Sequence, residues 1–568
     1  MKLGHLSRIR IISICIFVFA LLLIGRLYIL QIVQNDFYSN KADRQYVSAS
    51  KGTFDRGTIY FQNKDDTLVS GATLQSGFIV AVNPEVIQDV EGTYQKLNQI
   101  LPVDHNVFIA KSSKKSDPYE EIAQHVATDV GQKIGDMNIP GLTVYKDRWR
   151  FYPGENSAAH VIGMLGFKGD DYAGRYGLER QYESALIRRD GAYVNFFAQM
   201  FSDIKNSTAT TTAEEADIVT SIEPTVQLYL QSVLASTTAK WNSDTTGGII
   251  MNPSTGEIYA MEVYPTFDPN HPEEQKNVSI FSNPLVESRY EMGSIIKPLT
   301  ISAGIDTGVI TAKSTYYDKG YVMINGKKVS NFDGKDRGVV SMQDVLSQSL
   351  NVGAAHVESL LGNKVFSEYM FNFGVGEKTG IDLPNEGRNL VSNLKSTVDI
   401  DYATASFGQG IALTPVATIR ALAAVANGGV LVQPHVVKSI KYKLGFSKDI
   451  SVDTSRRVLK PETSAELARM LTYSVDNVLM GGTLSIKNYS VAAKTGTAQI
   501  AKDNGGGYYD NQFLHTFVGF FPSYNPKFII FLYTKNPKGA RFGSETLTAP
   551  YINMVKFLIN YYEIPPDR

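Results

Sequence analysis

The sequence predicts a multidomain α+β protein: an N-terminal transmembrane helix, a mixed domain behind it, and a C-terminal domain built as an antiparallel sheet flanked by helices. Three observations predict this. An uncharged apolar run opens the chain, a polar Ser/Thr-rich stretch ends near residue 215, and the remainder alternates helical-period segments with clusters of strand-like runs.

At the amino terminus, Lys2, Arg8 and Arg10 precede "IISICIFVFALLLIG", which is uncharged from Ile11 to Gly25, and Arg26 with the apolar "LYILQIV" follows. A helix needs about 20 mainly apolar residues to cross the hydrocarbon, and an arginine near one end can snorkel to the interface, so Ile11 to Val33 can span. The flanking cations then leave residues 1–10 as a cytoplasmic tail and put the rest of the chain outside. A cleaved signal peptide is the rival reading, because the run to Gly25 also fits its apolar core. No small-residue cleavage site follows directly and the apolar pattern resumes past Arg26, which favours an uncleaved membrane anchor. A buried soluble helix is a third, weaker reading.

With 568 residues, 43% of them hydrophobic and 20% charged, the chain has ordinary globular composition and length for two or more domains. The net charge of -1, without a basic stripe interleaved with aromatics, argues against a nucleic-acid partner. Cys15 is the only cysteine, so neither an intramolecular disulfide nor a thiolate zinc cluster can form. His160, His435 and His515 have no metal-ligand spacing between them and read as packing or surface residues.

Residues 34–215 are mixed in pattern, with polar stretches at "AKSSKKSDPYEE" and "NSTATTTAEEAD". The second has too little apolar content to build a core and reads as a linker or long loop, which sets a boundary between a domain at 34–215 and another at 216–568. Beyond it, "TVQLYLQSVLASTTAKW" has helical spacing, and "GGIIMNPSTGEIYAMEV" reads as two strands joined by a turn. Helices are expected in "MQDVLSQSLNVGAAHVESLL", "PETSAELARMLTYSVDNVL" and "APYINMVKFLINYYE". Strands are expected in "YSVAAKTGTAQIA", "HTFVGFFPSY" and "KFIIFLYTK".

The chemistry begins in "YEMGSIIKPLT", where Ser294 and Lys297 fall on one helix face within hydrogen-bonding reach. Alone this spacing says little, since Ser112/Lys115, Ser202/Lys205 and Ser392/Lys395 repeat it. Two further groups follow in order: Ser349-Leu350-Asn351, in a helix or its adjoining turn, and Lys494-Thr495-Gly496-Thr497, in a strand. Each also has a bland use, Ser349 and Asn351 as a helix cap and Gly293 and Gly496 as turn or packing glycines. A second Lys-Thr-Gly, at Lys378-Thr379-Gly380, lies in "FGVGEKTGIDLP" and reads as a loop. The order Ser-X-X-Lys, Ser-X-Asn, Lys-Thr-Gly is far more specific than any one of its parts.

On these motifs the chain resembles the class B penicillin-binding proteins, monofunctional peptidoglycan D,D-transpeptidases. The resemblance extends to "RWRFYPGENSAAHVIG" (148–163) and "GRYGLERQYESAL" (174–186), similar to the family's pedestal domain, and to "GIIMNPSTGEIYAMEVYPTFDPN", "NFGVGEKTGIDLP" and "ASFGQGIALTP" in its transpeptidase domain. "RGTIYFQNKDD" departs from the family pattern, keeping Arg56, Gly57 and Ile59 but not the Asp-Arg and glycine turn, and Ala493 stands where glycine is common. The resemblance implies that Ser294 is the acylated nucleophile and Lys297, helped by Lys494, its base. It implies that Ser349 relays the proton and Asn351 bonds the donor peptide. Thr495 and Thr497, flanking Gly496, would bind the terminal carboxylate, and backbone N–H groups of Ser294 and Thr497 would form the oxyanion hole. A lysine ordinarily titrates near 10.4, so burial and a second cation would have to keep Lys297 neutral.

The implied partners are peptidoglycan stem peptides, β-lactams as inhibitors, the cytoplasmic membrane and a polytopic membrane glycosyltransferase, since no glycosyltransferase motif precedes residue 215. No cofactor or metal is expected. A D,D-carboxypeptidase ranks second, giving the acyl group to water. A β-lactamase is disfavoured by the anchor and pedestal, a β-lactam sensor by the short cytoplasmic tail, and an inactive scaffold by the completeness of the polar set.

Overall fold

Five strands form the sheet that carries the site: β1 (Thr245–Met251), β2 (Ile258–Tyr264), β3 (Ala492–Ala501), β4 (Tyr508–Phe521) and β5 (Phe528–Lys535). They appear in a computed structural model that describes residues 54–168, 171–188, 215–443, 445–502 and 506–568. Every pairing is antiparallel and the spatial order is β3-β4-β5-β1-β2, so β3 is an edge strand. The hairpin expected in "GGIIMNPSTGEIYAMEV" is β1–β2, and the three C-terminal strands also form where expected.

Both faces of this sheet are covered. Along β5, Phe528, Ile530 and Leu532 join one apolar cluster, while Ile529, Phe531 and Tyr533 join the other. Successive side chains point to opposite faces, so a strand packed on both sides reads as the continuous apolar run "FIIFLY". One face packs on α1 (Pro224–Trp241) and the C-terminal helix, through Leu230, Leu234, Tyr551 and Val555. The other face packs on α5 (Pro415–Ala426) and α6 (Pro461–Asn477), and helices α2 (Lys297–Asp306), α3 (Met342–Ser347) and α4 (Asn351–Leu361) extend the same apolar cluster; the C-terminal helix, Gly543–Tyr561, is α7. All twelve residues of α5 are buried, the condition of a helix enclosed on every side.

By packing, residues 56–74, 150–188 and 215–568 belong to one compact unit and residues 75–149 to another. Within the larger unit, Ile59–Gln62 pairs in parallel with Ala216–Thr220, which pairs antiparallel with Val437–Tyr442. Arg56 is buried there, its Nε 2.7 Å from Glu179 Oε2 and its Nη2 2.5 Å from Glu183 Oε2, and Arg150 Nε lies 2.6 Å from Glu179 Oε1. Gly57 N donates to Leu186 O at 2.7 Å, and a Cβ on Gly57 would lie 2.1 Å from Ala216 O. Two of the residues that "RGTIYFQNKDD" retains, Arg56 and Gly57, thus bind "GRYGLERQYESAL". The smaller unit packs strand Glu120–Val126 and helices Val90–Asn98, His105–Ser112 and Thr128–Asp136 around Val80, Leu97, Phe108 and Ile134.

The expected tail at 1–10 and anchor at 11–33 lie outside the described residues. Among the described residues no helix is long and apolar enough to cross a membrane.

Candidate active site

A turn of 3-10 helix, Gly293–Ile296, leads directly into α2, with Pro298 in the first turn of that helix. Gly293 sits at φ 63, and a Cβ there would lie 2.8 Å from Thr497 O, so only glycine lets this turn meet β3. Its N–H donates to Gly408 O at 3.1 Å, and Gly408 in turn approaches so closely that a Cβ would lie 2.2 Å from Gly293 O. The turn presents Ser294 to a cleft of about 1140 Å³ and drives Lys297 beneath it, fully buried.

Ser349 comes from the break between α3 and α4. α3 opens on a capping box made by Ser341 and Asp344 and ends at Ser347. Ser349 then takes a left-handed conformation, φ 59, before α4 begins at Asn351. The stretch expected to be helical is therefore two helices, and of the two places the sequence left open for Ser349, a helix or its adjoining turn, it occupies the turn. The kink is what turns Ser349 toward the lysines, at the cost of strain in a residue with a Cβ. Asn351, in the first turn of α4, donates from Nδ2 to Ser330 O at 3.0 Å.

The third group lies on the edge strand. Lys494 Nζ is 2.9 Å from Ser349 Oγ and 2.9 Å from Thr495 O. Lys297 Nζ is 3.0 Å from Ser294 Oγ, 2.6 Å from Ser349 O and 3.2 Å from Ser349 Oγ. An unbroken line of contacts thus runs Ser294–Lys297–Ser349–Lys494. Burial pushes both amines down: Lys494 to about 7, and Lys297 well below its ordinary value, with the neighbouring Lys494 lowering it further. Both effects disfavour a charged ammonium. Gly496 has a steric reason to be glycine, because a Cβ would lie 2.2 Å from Thr516 Oγ1 and 2.8 Å from Met292 O. Thr516 Oγ1 itself donates to Met292 O at 3.0 Å, tying the sheet to the nucleophile turn.

Comparison with known proteins places the chain in a family. The penicillin binding protein transpeptidase domain family matches residues 246–555, and the penicillin-binding protein dimerisation domain family matches residues 53–220. The chain belongs to the penicillin-binding protein transpeptidase family. It is 29% identical to stage V sporulation protein D of Bacillus subtilis, over 88% of this chain and 77% of that protein. It is 25% identical to the probable peptidoglycan D,D-transpeptidase PenA of Neisseria gonorrhoeae, over 99% and 94%. Its fold is that of penicillin-binding protein 2X from Streptococcus thermophilus (TM-score 0.72, 21% identity, covering 89% and 79%). It is also that of penicillin-binding protein 3 from Mycobacterium tuberculosis complexed with aztreonam (TM-score 0.69, 22% identity, covering 91% and 98%).

In this penicillin-binding protein, Ser294, Ser349, Asn351, Lys494, Thr495, Gly496 and Thr497 all line one cleft, with Lys297 below them. Lys378-Thr379-Gly380 does not; it lies in a loop, where Glu386 accepts from the N–H groups of Thr379 and Gly380. Of the other Ser-X-X-Lys pairs, Lys115 donates to Pro84 O and Ile87 O, Ser392–Lys395 is an isolated 3-10 turn, and Ser202/Lys205 lies outside the described residues.

Sequence reading missed several contributors. Phe332 and Phe542 both line the cleft and meet edge-on, ring centroids 5.6 Å apart, each beneath an arginine, Arg337 and Arg541. Glu291 accepts from Gly410 N at 3.1 Å and from Tyr508 Oη at 3.0 Å, linking three segments beside Ser294. Its place three residues before the serine was the available signal. His515, read from the sequence as a packing or surface residue, is buried across from the edge strand.

Proposed function

We infer that this chain is a peptidoglycan D,D-transpeptidase that works through an acyl-enzyme on Ser294, where β-lactams also react. The observation that carries the assignment of roles is the line of contacts from Ser294 through Lys297 and Ser349 to Lys494. A neutral amine has two N–H groups and one lone pair. Ser349 O can only accept, so it takes one N–H of Lys297, and Ser349 Oγ is placed for the other. The lone pair is left for the hydroxyl of Ser294. Lys297 then takes that proton as Ser294 Oγ attacks the carbonyl of the penultimate D-Ala.

The negative oxygen of the tetrahedral intermediate is met by backbone N–H groups of Ser294 and Thr497, donors worth roughly 2.7–4 kcal/mol each in other enzymes. As the intermediate collapses, Ser349 passes its proton to the leaving amine and takes the one held by Lys297, and the terminal D-Ala departs. Lys494 holds Ser349 Oγ, Thr495 and Thr497 bind the terminal carboxylate, and Gly496 lets them reach it. Asn351, with one amide hydrogen committed to Ser330 O, has the other and its carbonyl for the donor peptide. The amine of a neighbouring stem peptide then attacks the ester and gives a proton to Lys297, which delivers it to Ser294 Oγ as that oxygen leaves, so the cross-linked product departs and the site is restored.

The test is intact-protein mass spectrometry of the full-length protein after exposure to a β-lactam, beside Ser294→Ala. One slowly hydrolysed adduct, absent from the variant, is expected. No adduct on folded wild type would favour an inactive scaffold, rapid drug turnover a β-lactamase. Release of D-Ala without cross-linked product in the presence of an amine acceptor would favour a carboxypeptidase.

We further propose a single-pass anchor at 11–33, with the pedestal (34–215) and transpeptidase domain (216–568) outside the membrane, and a polytopic membrane glycosyltransferase as partner. The uncharged run and its flanking cations support the anchor, and the lack of a glycosyltransferase motif supports the partner. Replacing residues 1–215 should abolish co-purification with that partner; unchanged co-purification would reject the pairing.

A further inference from the structure

We propose that His515 is a positioning residue for recognition of the substrate's terminal carboxylate, acting through the first turn of α7 on the hydroxyl of Thr497. The inference rests on the reading of Thr497 as a carboxylate ligand. His515 stands directly across from Thr497 in the β3–β4 register and is fully buried. Its Nε2 lies 3.2 Å from Arg541 O and its Nδ1 2.9 Å from Thr546 Oγ1. Burial lowers its pKa to about 4, so the ring is neutral and carries one proton. A carbonyl only accepts, which puts that proton on Nε2; Nδ1 then accepts from the Thr546 hydroxyl. One ring fixes two points of the turn that leads into α7.

Glu545 fixes the same turn from the other side. Its Oε2 accepts from the N–H of Arg541 at 2.8 Å and of Phe542 at 2.7 Å. With its N–H and C=O both committed, Arg541 sets Gly543, the first residue of α7, so that Gly543 N donates to Thr497 Oγ1 at 2.9 Å. There is no slack in this approach, since a Cβ on Gly543 would lie 2.3 Å from Gly496 O.

The consequence lies in the proton inventory of Thr497. A hydroxyl has one hydrogen and two lone pairs, and a carboxylate only accepts. With Gly543 N–H on a lone pair, the hydrogen of Thr497 is left to point into the cleft as a donor. If the α7 turn drifts, that hydrogen is no longer directed and a lone pair can face the carboxylate instead.

The test compares acylation of the full-length protein by a thioester stem-peptide analogue ending in a free carboxylate and by its methyl ester, with thermal melting as a folding control. Wild type should prefer the carboxylate. His515→Ala should lower acylation by the carboxylate substrate about tenfold to a hundredfold, leave the ester nearly unaffected, and so erase the preference. His515→Gln, whose amide can donate to Arg541 O and accept from Thr546, should restore it. Equal losses on both substrates in a folded His515→Ala would overturn the proposal. Should that variant not fold, Thr546→Val takes its place, and an unchanged preference there would overturn it equally. Failure of wild type to prefer the carboxylate would remove the reading of Thr497 on which the proposal stands.

Discussion

Among the described residues, neither Lys297 nor Lys494 has an acidic partner within ion-pair distance; what they share is Ser349 Oγ. Two buried amines facing one another favour neutrality, and the protein carries the energetic cost of keeping them so. Because Lys494 titrates near 7 when folded and near 10.5 when unfolded, unfolding takes up a proton between those values. The lysine's burden is therefore greatest below about pH 7, and stability rises with pH across the window from about 7 to 10.5. Lys494→Met should raise the melting temperature by a few degrees at pH 7 and flatten this rise, while acylation by a β-lactam collapses. Calorimetry across pH 6–9 checks it, and a Met variant that melts lower at pH 7 would contradict it. In wild type, acylation should decline on acidification below about pH 7, as the pair takes up protons.

Between residue and chain lies the α3–Ser349–α4 break. A left-handed residue with a Cβ is strained by roughly 1–2 kcal/mol, a cost that glycine avoids. Ser349→Gly and Ser349→Ala should both slow acylation by at least about a hundredfold. Glycine alone should stabilise the fold, by about 1 kcal/mol in chemical denaturation relative to alanine; equal stabilities would mean that the kink is not held against strain. This break also marks where the sequence was hard to read. "MQDVLSQSLNVGAAHVESLL" carries helical spacing throughout, and nothing in Gln348-Ser349-Leu350 announces a reversal of φ. The helix α5 escaped for a different reason: it is buried on every side and apolar but for Thr418 and Arg420, so it has little period to detect. The helix α1 was legible from the helical spacing of its apolar residues, and β5 from its short apolar run. At the site, three short motifs named Ser294, Lys297, Ser349, Asn351 and Lys494, but Phe332 and Phe542 reach the cleft through tertiary packing and leave no local mark.

Across the whole molecule, the segments 56–74 and 150–188 pack with the catalytic sheet's own unit, and the Arg56–Glu179–Arg150 cluster is their charged centre. Removing one member leaves the remaining charges buried and underpaired, so Arg56→Met should cost about 3–5 kcal/mol in chemical denaturation. A loss under 1 kcal/mol would show that Arg150 alone satisfies Glu179. The linear order of the chain suggested one domain before residue 215 and another after it, while the three-dimensional grouping joins pieces from both, a relation that local patterns do not encode. Finally, among the described residues β3 pairs with a strand on only one side. An open strand edge is an invitation to pair with any extended chain, a hazard that proteins ordinarily blunt. Here the edge runs along the cleft wall, and a peptide lying beside Thr495–Thr497 would complete the sheet as a sixth strand through main-chain hydrogen bonds, whatever its side chains. Such a grip reads the backbone more than residue identity, so one open edge can take extended chains that share a length and little else.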